Sequence, residues 1–372
     1  MKSLPQFIFT CVLGLSIPAT TVFAHEAGHQ HIHAEKTEIL PLPMLLEKSG
    51  PVRKPKLSSE TKVSGQGFWK FAPVPNVLPI PEEAKPFVKG AHGTLIVDAQ
   101  RDILYWGLQK VGWISYTEKL TQGNIIKGDA ALASGNLHGA DLFYRKGKAP
   151  LVVVADDAES EVYLSDTTFQ KAQKLPWPEG GPYTNKNQFH PTDAAFTSEG
   201  QFYVTDGYGK AYFMPGTIDP LKYDGVYIGG KEMSQTPHGI TYKKDDNSLL
   251  ISARAEGQVK KMNLKDNKFL ETLGLPPGSS VCDVDIWGDY ALAPCLNGPD
   301  KTPGPIYIIN LKKKAIVSVI KPKEDLGFTE AQHMHDATWY FVGTGRQKEV
   351  YIIFTNWNPG GIGALKLVNQ PD

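Results

Sequence analysis

Gln235-Thr236-Pro237-His238-Gly239-Ile240-Thr241-Tyr242, with the run that continues to Arg254, contains the unit from which most of this chain is built. The unit is a histidine, one or two small or turn-forming residues, an apolar strand, a polar turn and a second apolar strand. The same start recurs at His92-Gly93, His138-Gly139, His190-Pro191 and His335-Asp336, and once with cysteine at Cys282-Asp283. Successive anchors lie 46, 52, 48, 44 and 53 residues apart. A period in the forties to low fifties with several short strands per unit is that of a β-propeller blade. Six anchors therefore predict an all-β chain of six four-stranded blades.

The runs between anchors read as strands. Ile103-Leu104-Tyr105-Trp106, Leu151-Val152-Val153-Val154-Ala155, Phe202-Tyr203-Val204-Thr205 and Ile306-Tyr307-Ile308-Ile309 are short, β-branched or aromatic, and bounded by turn formers. No segment after residue 24 carries a convincing helical pattern. The last unit, His335 to Val368, shows only three strands, whereas Gly67-Phe68-Trp69-Lys70-Phe71-Ala72 supplies an alternating strand ahead of the first anchor. That N-terminal strand is expected to complete the last blade and close the ring, leaving no open seam.

A single propeller from residue 65 to 372 accounts for most of the length. The 39 basic and 39 acidic residues cancel, which gives no basis for binding nucleic acid or an anionic membrane. The expected partner is a small molecule or an ion. Residues 1–24 carry Lys2, an apolar run from Phe7 to Ile17, and small residues before Ala24, the pattern of a secretory signal peptide. No second hydrophobic stretch follows, so no membrane span is expected, and the chain reads as periplasmic or secreted. Residues 25–64 read as a flexible tether, His-rich at first and then rich in Pro and Lys. Within it His25, His29, His31 and His33 form a group able to hold a divalent transition metal. Cys282 and Cys295, an even pair in an oxidising compartment, are expected to form a disulfide, with two buried free thiols as the alternative.

In a propeller the first strand of every blade lines the central channel, so anchors at equivalent starts form a ring at one mouth. Neutral imidazole suits zinc, copper, iron or nickel. Histidines far apart in sequence can thus converge on one ion. Tyr208 in Thr205-Asp206-Gly207-Tyr208 and Arg254 in Ser252-Ala253-Arg254 stand at the ends of second strands. Antiparallel pairing returns those ends to the same mouth.

At these residues the chain resembles the peptidyl-α-hydroxyglycine α-amidating lyase domain of peptide-amidating enzymes, an NHL-type six-bladed propeller. The resemblance spans roughly His92 to Val368. It is carried by Pro237-His238-Gly239-Ile240 with Arg254, by His190-Pro191-Thr192-Asp193 with Thr205-Asp206-Gly207-Tyr208, by His335-Asp336, and more weakly by Leu137-His138-Gly139. It implies zinc, or another divalent transition metal, on His138, His238 and His335, and a structural calcium to which Asp336 contributes. It also implies that Tyr208 is the catalytic base and Arg254 the substrate-binding arginine. The chain departs from the family in three places. The family's first-blade arginine is missing near Gly107-Leu108, His333 replaces a methionine and His190 a glutamine. His92, His190 and His333 are accordingly further metal-ligand candidates.

Three protein ligands with an open fourth position characterise a catalytic zinc. The implied activity is a zinc-dependent carbon–nitrogen lyase acting on a small carboxylate-bearing α-hydroxy compound. The alternative is a non-catalytic periplasmic metal- or ligand-binding propeller. A calcium-dependent lactonase fits less well, because such a site needs carboxylates and asparagines where this chain has histidines.

Overall fold

The computed structural model describes residues 22–25, 29–32, 37–55, 61–117 and 119–369, and six four-stranded antiparallel blades, three of them extended at the outer edge by further strands, form a ring around a central channel. Blade one is Leu95–Asp98, Ile103–Leu108, Gly112–Thr117 and Gln122–Ile126, counted from the axis outward; blade two is Leu137–Phe143, Leu151–Asp156, Glu161–Asp166 and Ala172–Leu175. Blade three begins at Asp193–Phe196, blade four at Pro237–Lys243, blade five at Asp285–Trp287 and blade six at His333–Val342. The outer strand of blade six is Trp69–Pro73, paired antiparallel with Gly361–Leu367, so the N-terminal strand closes the ring as the sequence predicts. The short helix Ala130–Ser134 is an addition the strand pattern did not reveal; the Asp129 side chain caps it by accepting from the Ala131 N–H at 2.9 Å.

Strand alternation holds the blades together. In blade two Val152 and Val154 face blade one, packing with Tyr105 and Trp113, while Leu151 and Val153 face blade three, packing with Phe196 and Phe202. Successive side chains of a strand point to opposite faces, and every inner strand here is covered on both. The sequences are therefore nearly continuous in apolar residues. Six buried clusters result, each shared between two neighbouring blades.

Near the axis carboxylates link adjacent blades. Asp141 accepts from the Phe196 N–H at 2.7 Å, Asp193 from Ile240 at 2.8 Å, Asp285 from Trp339 at 2.8 Å, and Asp336 from Leu95 at 2.7 Å. Each bond runs from one blade to the inner strand of the next, satisfying backbone donors that have no ladder partner there.

Much of the segment expected to be a flexible tether lies along the outer rim. Ile39–Pro41 pairs parallel with Phe269–Gly274 of blade four, and Met44 bridges Ile316 of blade five. Upstream, His29–Ile32 pairs parallel with Val226–Gly229 of blade three and antiparallel with Val22–His25. An outermost strand offers a row of unpaired backbone groups, and an extended polar segment can satisfy them. The expected cleavage point after Ala24 falls within Val22–His25; residues 1–21, with Cys11, and His33 lie outside the described residues.

The rim segment is anchored by Glu47, which is only 6% exposed. Its carboxylate accepts from Trp69 Nε1 at 2.9 Å, Asn310 Nδ2 at 2.9 Å and Lys313 Nζ at 2.8 Å. Burial pushes its pKa up, but the bonds from Lys313, Trp69 and Asn310 outweigh burial and hold it below the ordinary glutamate value of 4.5. Glu47→Gln faces these donors with an amide N–H and should cost about 1–3 kcal/mol, measured by urea unfolding. Because the folded pKa is depressed, the charge stabilises the fold above pH 4.5 and loses that effect as pH falls through the folded pKa. The gap between the two proteins should therefore narrow in acid.

Candidate metal centre at the channel mouth

Three of the anchor histidines sit at irregularities in the first strands of their blades. The pairing of blade two passes from Leu137 to Gly139, that of blade four from Pro237 to Gly239, and that of blade six from Met334 to Asp336. His138, His238 and His335 are the residues left over, each in a β-bulge, a device that re-aims a side chain. The glycines after the first two allow close approach of the neighbouring blade. A Cβ at position 139 would stand 2.2 Å from Asp193 Oδ1, and one at position 239 would stand 2.5 Å from Asp283 Oδ1.

The bulges bring the rings together. Ring centres of His138 and His238 are 4.8 Å apart, those of His138 and His335 4.8 Å, and those of His238 and His335 5.0 Å. His92 joins them from the loop before blade one, 4.3 Å from His138 and 4.9 Å from His335. Donor nitrogens of His92, His138 and His335 all lie within 4.8 Å of one another.

Nδ1 of His138 meets the Thr192 carbonyl at 2.6 Å, and Nδ1 of His238 meets the Cys282 carbonyl at 2.7 Å. A carbonyl only accepts, so both Nδ1 atoms carry the proton and both Nε2 atoms carry lone pairs. Metal-binding histidines are oriented in this way. His335 is 3% exposed, and neither of its ring nitrogens has a hydrogen-bond partner. An unsatisfied buried imidazole is costly unless a ligand completes it. Burial, then repulsion between the rings and from Arg254, lowers the pKa of His238 and His335 well below the usual imidazole value; burial takes His138, and burial with the His138 charge takes His92, to about 3. All four are neutral at physiological pH, the form that binds metal. The set fits a divalent transition ion.

The Tyr208 hydroxyl lies 3.1 Å from His138 Nε2 and 2.9 Å from His238 Nε2, and it accepts from Arg254 Nη1 at 2.9 Å. The guanidinium also lies over the Tyr208 ring, 4.9 Å from its centre. Burial pushes the Tyr208 hydroxyl up to about 12, against the pull of Arg254.

The other candidates lie elsewhere. His190 faces the carbonyls of Asp157 and Asn187, each at 3.1 Å, and its ring is not among the clustered ones. His333 faces the Asn358 carbonyl at 3.1 Å and lies beside Trp357, outside the cluster. His31 stacks on Tyr227 at the outer edge of blade three. For His25 and His29 only the backbone strands are described. Asp336 lies deeper in the channel, where it hydrogen-bonds Asp283 near Asp193. Burial and neighbouring carboxylates raise all three acids, Asp283 to about 7. These hard oxygens fit the implied calcium rather than the imidazole-bound ion.

The expected disulfide is not formed. Cys282 and Cys295 are both free and buried. Cys282 faces the channel beside Arg254, whereas Cys295 packs between blades four and five with Val259, Val281 and Tyr307. Opposite strand faces, which sequence spacing does not show, separate the two sulfurs. Asn136 and Trp357 also belong to the site and were missed. Asn136 stands two residues before His138, close enough to have been noticed; Trp357 comes from the second strand of the last blade, and nothing in its local sequence marks it.

No family model and no curated protein matches the sequence. Among solved structures, a chain of the nidogen/laminin complex is similar over 72% of this chain and 95% of its own, at 13% identity and a TM-score of 0.50. Hydrazine synthase of Kuenenia stuttgartiensis is similar over 63% of this chain at 14% identity and a TM-score of 0.43; the match spans 60% of that chain. At 13% identity the nidogen/laminin likeness is one of fold alone, and the sheets of this chain themselves make it a six-bladed β-propeller. No helix among the described residues is long and apolar enough to cross a membrane.

Two outcomes test the centre. The metal-depleted protein should take up one zinc per chain at the mouth, and His335→Ala should weaken that binding at least about 100-fold by competition against a chelator. Denatured without reductant, the protein should show both Cys282 and Cys295 alkylated in peptide mass maps.

Proposed function

We propose that this protein is a metal-dependent carbon–nitrogen lyase resembling the peptidyl-α-hydroxyglycine α-amidating lyases, acting on a small α-hydroxy compound that bears a carboxylate. The observation that carries the reading is the position of the Tyr208 hydroxyl, within hydrogen-bond reach of two imidazole Nε2 atoms and the Arg254 guanidinium. A proton acceptor, a carboxylate anchor and a metal-ligand set share one mouth. The N-terminal sequence supports action outside the cytoplasm.

His138, His238 and His335 would hold the metal, which when bound polarises the substrate oxygen and offsets its developing negative charge. Arg254 has five N–H donors in a fork that matches a carboxylate. Its bond to Tyr208 leaves capacity for the substrate and orients the phenol. Tyr208, as phenolate, takes the proton of the substrate α-hydroxyl. The O–H electrons form the carbonyl, the carbon–nitrogen bond breaks toward nitrogen, and the departing amide nitrogen takes a proton back. The products are glyoxylate and the free amide, with no change of oxidation state. Burial outweighs the pull of Arg254 and holds the phenol at about 12, so the phenolate this requires would rest on the added positive charge of a metal bound beside it.

The assay offers α-hydroxyglycine derivatives to the metal-loaded protein and follows glyoxylate. Tyr208→Phe should keep metal and substrate binding but lose about 10²–10⁴ in rate. Arg254→Lys should raise KM about 10–100-fold, because the paired hydrogen bonds to the carboxylate are lost. If wild type yields no glyoxylate, or Tyr208→Phe matches wild type, the lyase reading fails, and a metal-binding propeller without catalysis takes its place.

A further inference from the structure

The fourth imidazole at the mouth is not accounted for by a three-histidine centre. His92 belongs to no strand; it precedes Leu95–Asp98 in the loop that enters blade one. Its ring is nonetheless held in place. It lies nearly parallel to Trp357, 14° between planes and 6.0 Å between centres. Its Nδ1 meets the Asn136 side-chain amide, Oδ1 at 3.2 Å and Nδ2 at 2.9 Å. The same Nδ2 donates to Asp157. The Asn136 amide therefore engages Nδ1, as backbone carbonyls engage Nδ1 of His138 and His238, and this buried side chain orients the ring while leaving Nε2 as the nitrogen available to an ion.

We propose that His92 is a fourth protein ligand, so that one divalent transition ion sits among His92, His138, His238 and His335. The inference rests on the reading of this cluster as a metal centre. At a metal–nitrogen distance of about 2.1 Å, two imidazoles at roughly a right angle to a tetrahedral angle on one ion hold their ring centres roughly 4.5–5 Å apart. Five of the six ring-centre separations among these histidines, all but that between His92 and His238, run from 4.3 to 5.0 Å. Two nitrogens on one ion stand at most about 4.2 Å apart, so binding draws the His92, His138 and His335 donors inward by a few tenths of an ångström. His335, with both nitrogens unpartnered, is common to the two histidine triangles.

Four imidazoles fill a tetrahedral zinc shell before any substrate arrives. A substrate oxygen can then bind only to an ion that accepts five or more ligands, which favours iron, nickel or copper over four-coordinate zinc. Tyr208 and Arg254 face the remaining position from the blade-three and blade-four side.

Cobalt(II) is a probe whose visible absorption is intense when four-coordinate and weak when five- or six-coordinate. The full chain loaded with one cobalt should absorb intensely, as four imidazoles in a tetrahedral shell require. His92→Ala should still bind one cobalt but more than about 100-fold more weakly, beyond the 10–100-fold expected for an outer-shell partner, with a shifted and weakened spectrum as solvent replaces the lost imidazole. Added imidazole should restore the wild-type spectrum. His92→Gln, which preserves side-chain bulk, should behave like His92→Ala, and His190→Ala should leave affinity and spectrum unchanged. If wild type binds cobalt while both His92 variants keep its affinity and spectrum, the fourth-ligand proposal is overturned and the three-histidine centre stands. If wild type binds no cobalt, the metal-centre reading itself fails.

Discussion

The ring closes at one seam, and everything at the axis depends on it. Trp69–Pro73 comes from the front of the chain and pairs with Gly361–Leu367 from its end. Without that pairing blade six would present an open edge, and the contact of its inner strand with blade one would be unsupported. The seam is correspondingly dense. Trp69 is fully buried, lies 4.5 Å from the Tyr290 ring and 5.8 Å from the Trp339 ring, and donates to Glu47. One aromatic residue thus couples the closing strand, the rim segment and blades five and six.

Closure brings first strands from different blades within reach of one another, and this is where the chemistry arises. Blades two, four and six each contribute a bulged histidine, and the loop into blade one contributes another. Burial without compensating negative charge keeps these rings neutral. Below them, carboxylates stitch blade to blade through backbone N–H groups, and burial with neighbouring carboxylates pushes Asp193 and Asp336 well above the usual carboxylate range. The channel therefore has two layers of different donors: borderline nitrogens at the mouth and hard oxygens within. Softness and coordination number separate the ions each layer prefers.

The rim follows a different logic. Segments before residue 55 add strands to the outer edges of blades three and four and touch blade five, where backbone groups would otherwise stay unpaired. Each of these strands is only three or four residues long, and Ile39–Pro41 is followed by further prolines, so they carry no strand signal of their own. Parallel pairing of a short segment on an existing edge is decided by the edge that receives it. This is why a stretch that reads as a tether can lie ordered against the fold.

The sequence by itself determined the number of blades, the closing strand and which anchor positions converge on the mouth. A recurring anchor marks each unit, strand runs have a local pattern, and Trp69–Ala72 stood ahead of a unit that lacked a strand. His138, His238, His335, Tyr208 and Arg254 were legible for the same reason, since equivalent positions in a closed ring must converge. Only the tertiary structure decided what depends on the direction of individual side chains. His190 shares the anchor position, yet its ring faces the carbonyls of Asp157 and Asn187 and is not among the clustered ones. His92 shares it too and turns inward, held by Asn136 and Trp357. Cys282 and Cys295 stand thirteen positions apart and face different surroundings. Periodicity places a residue on a strand or in a loop; the bulges, glycines and neighbouring blades that aim it belong to contacts distant in sequence.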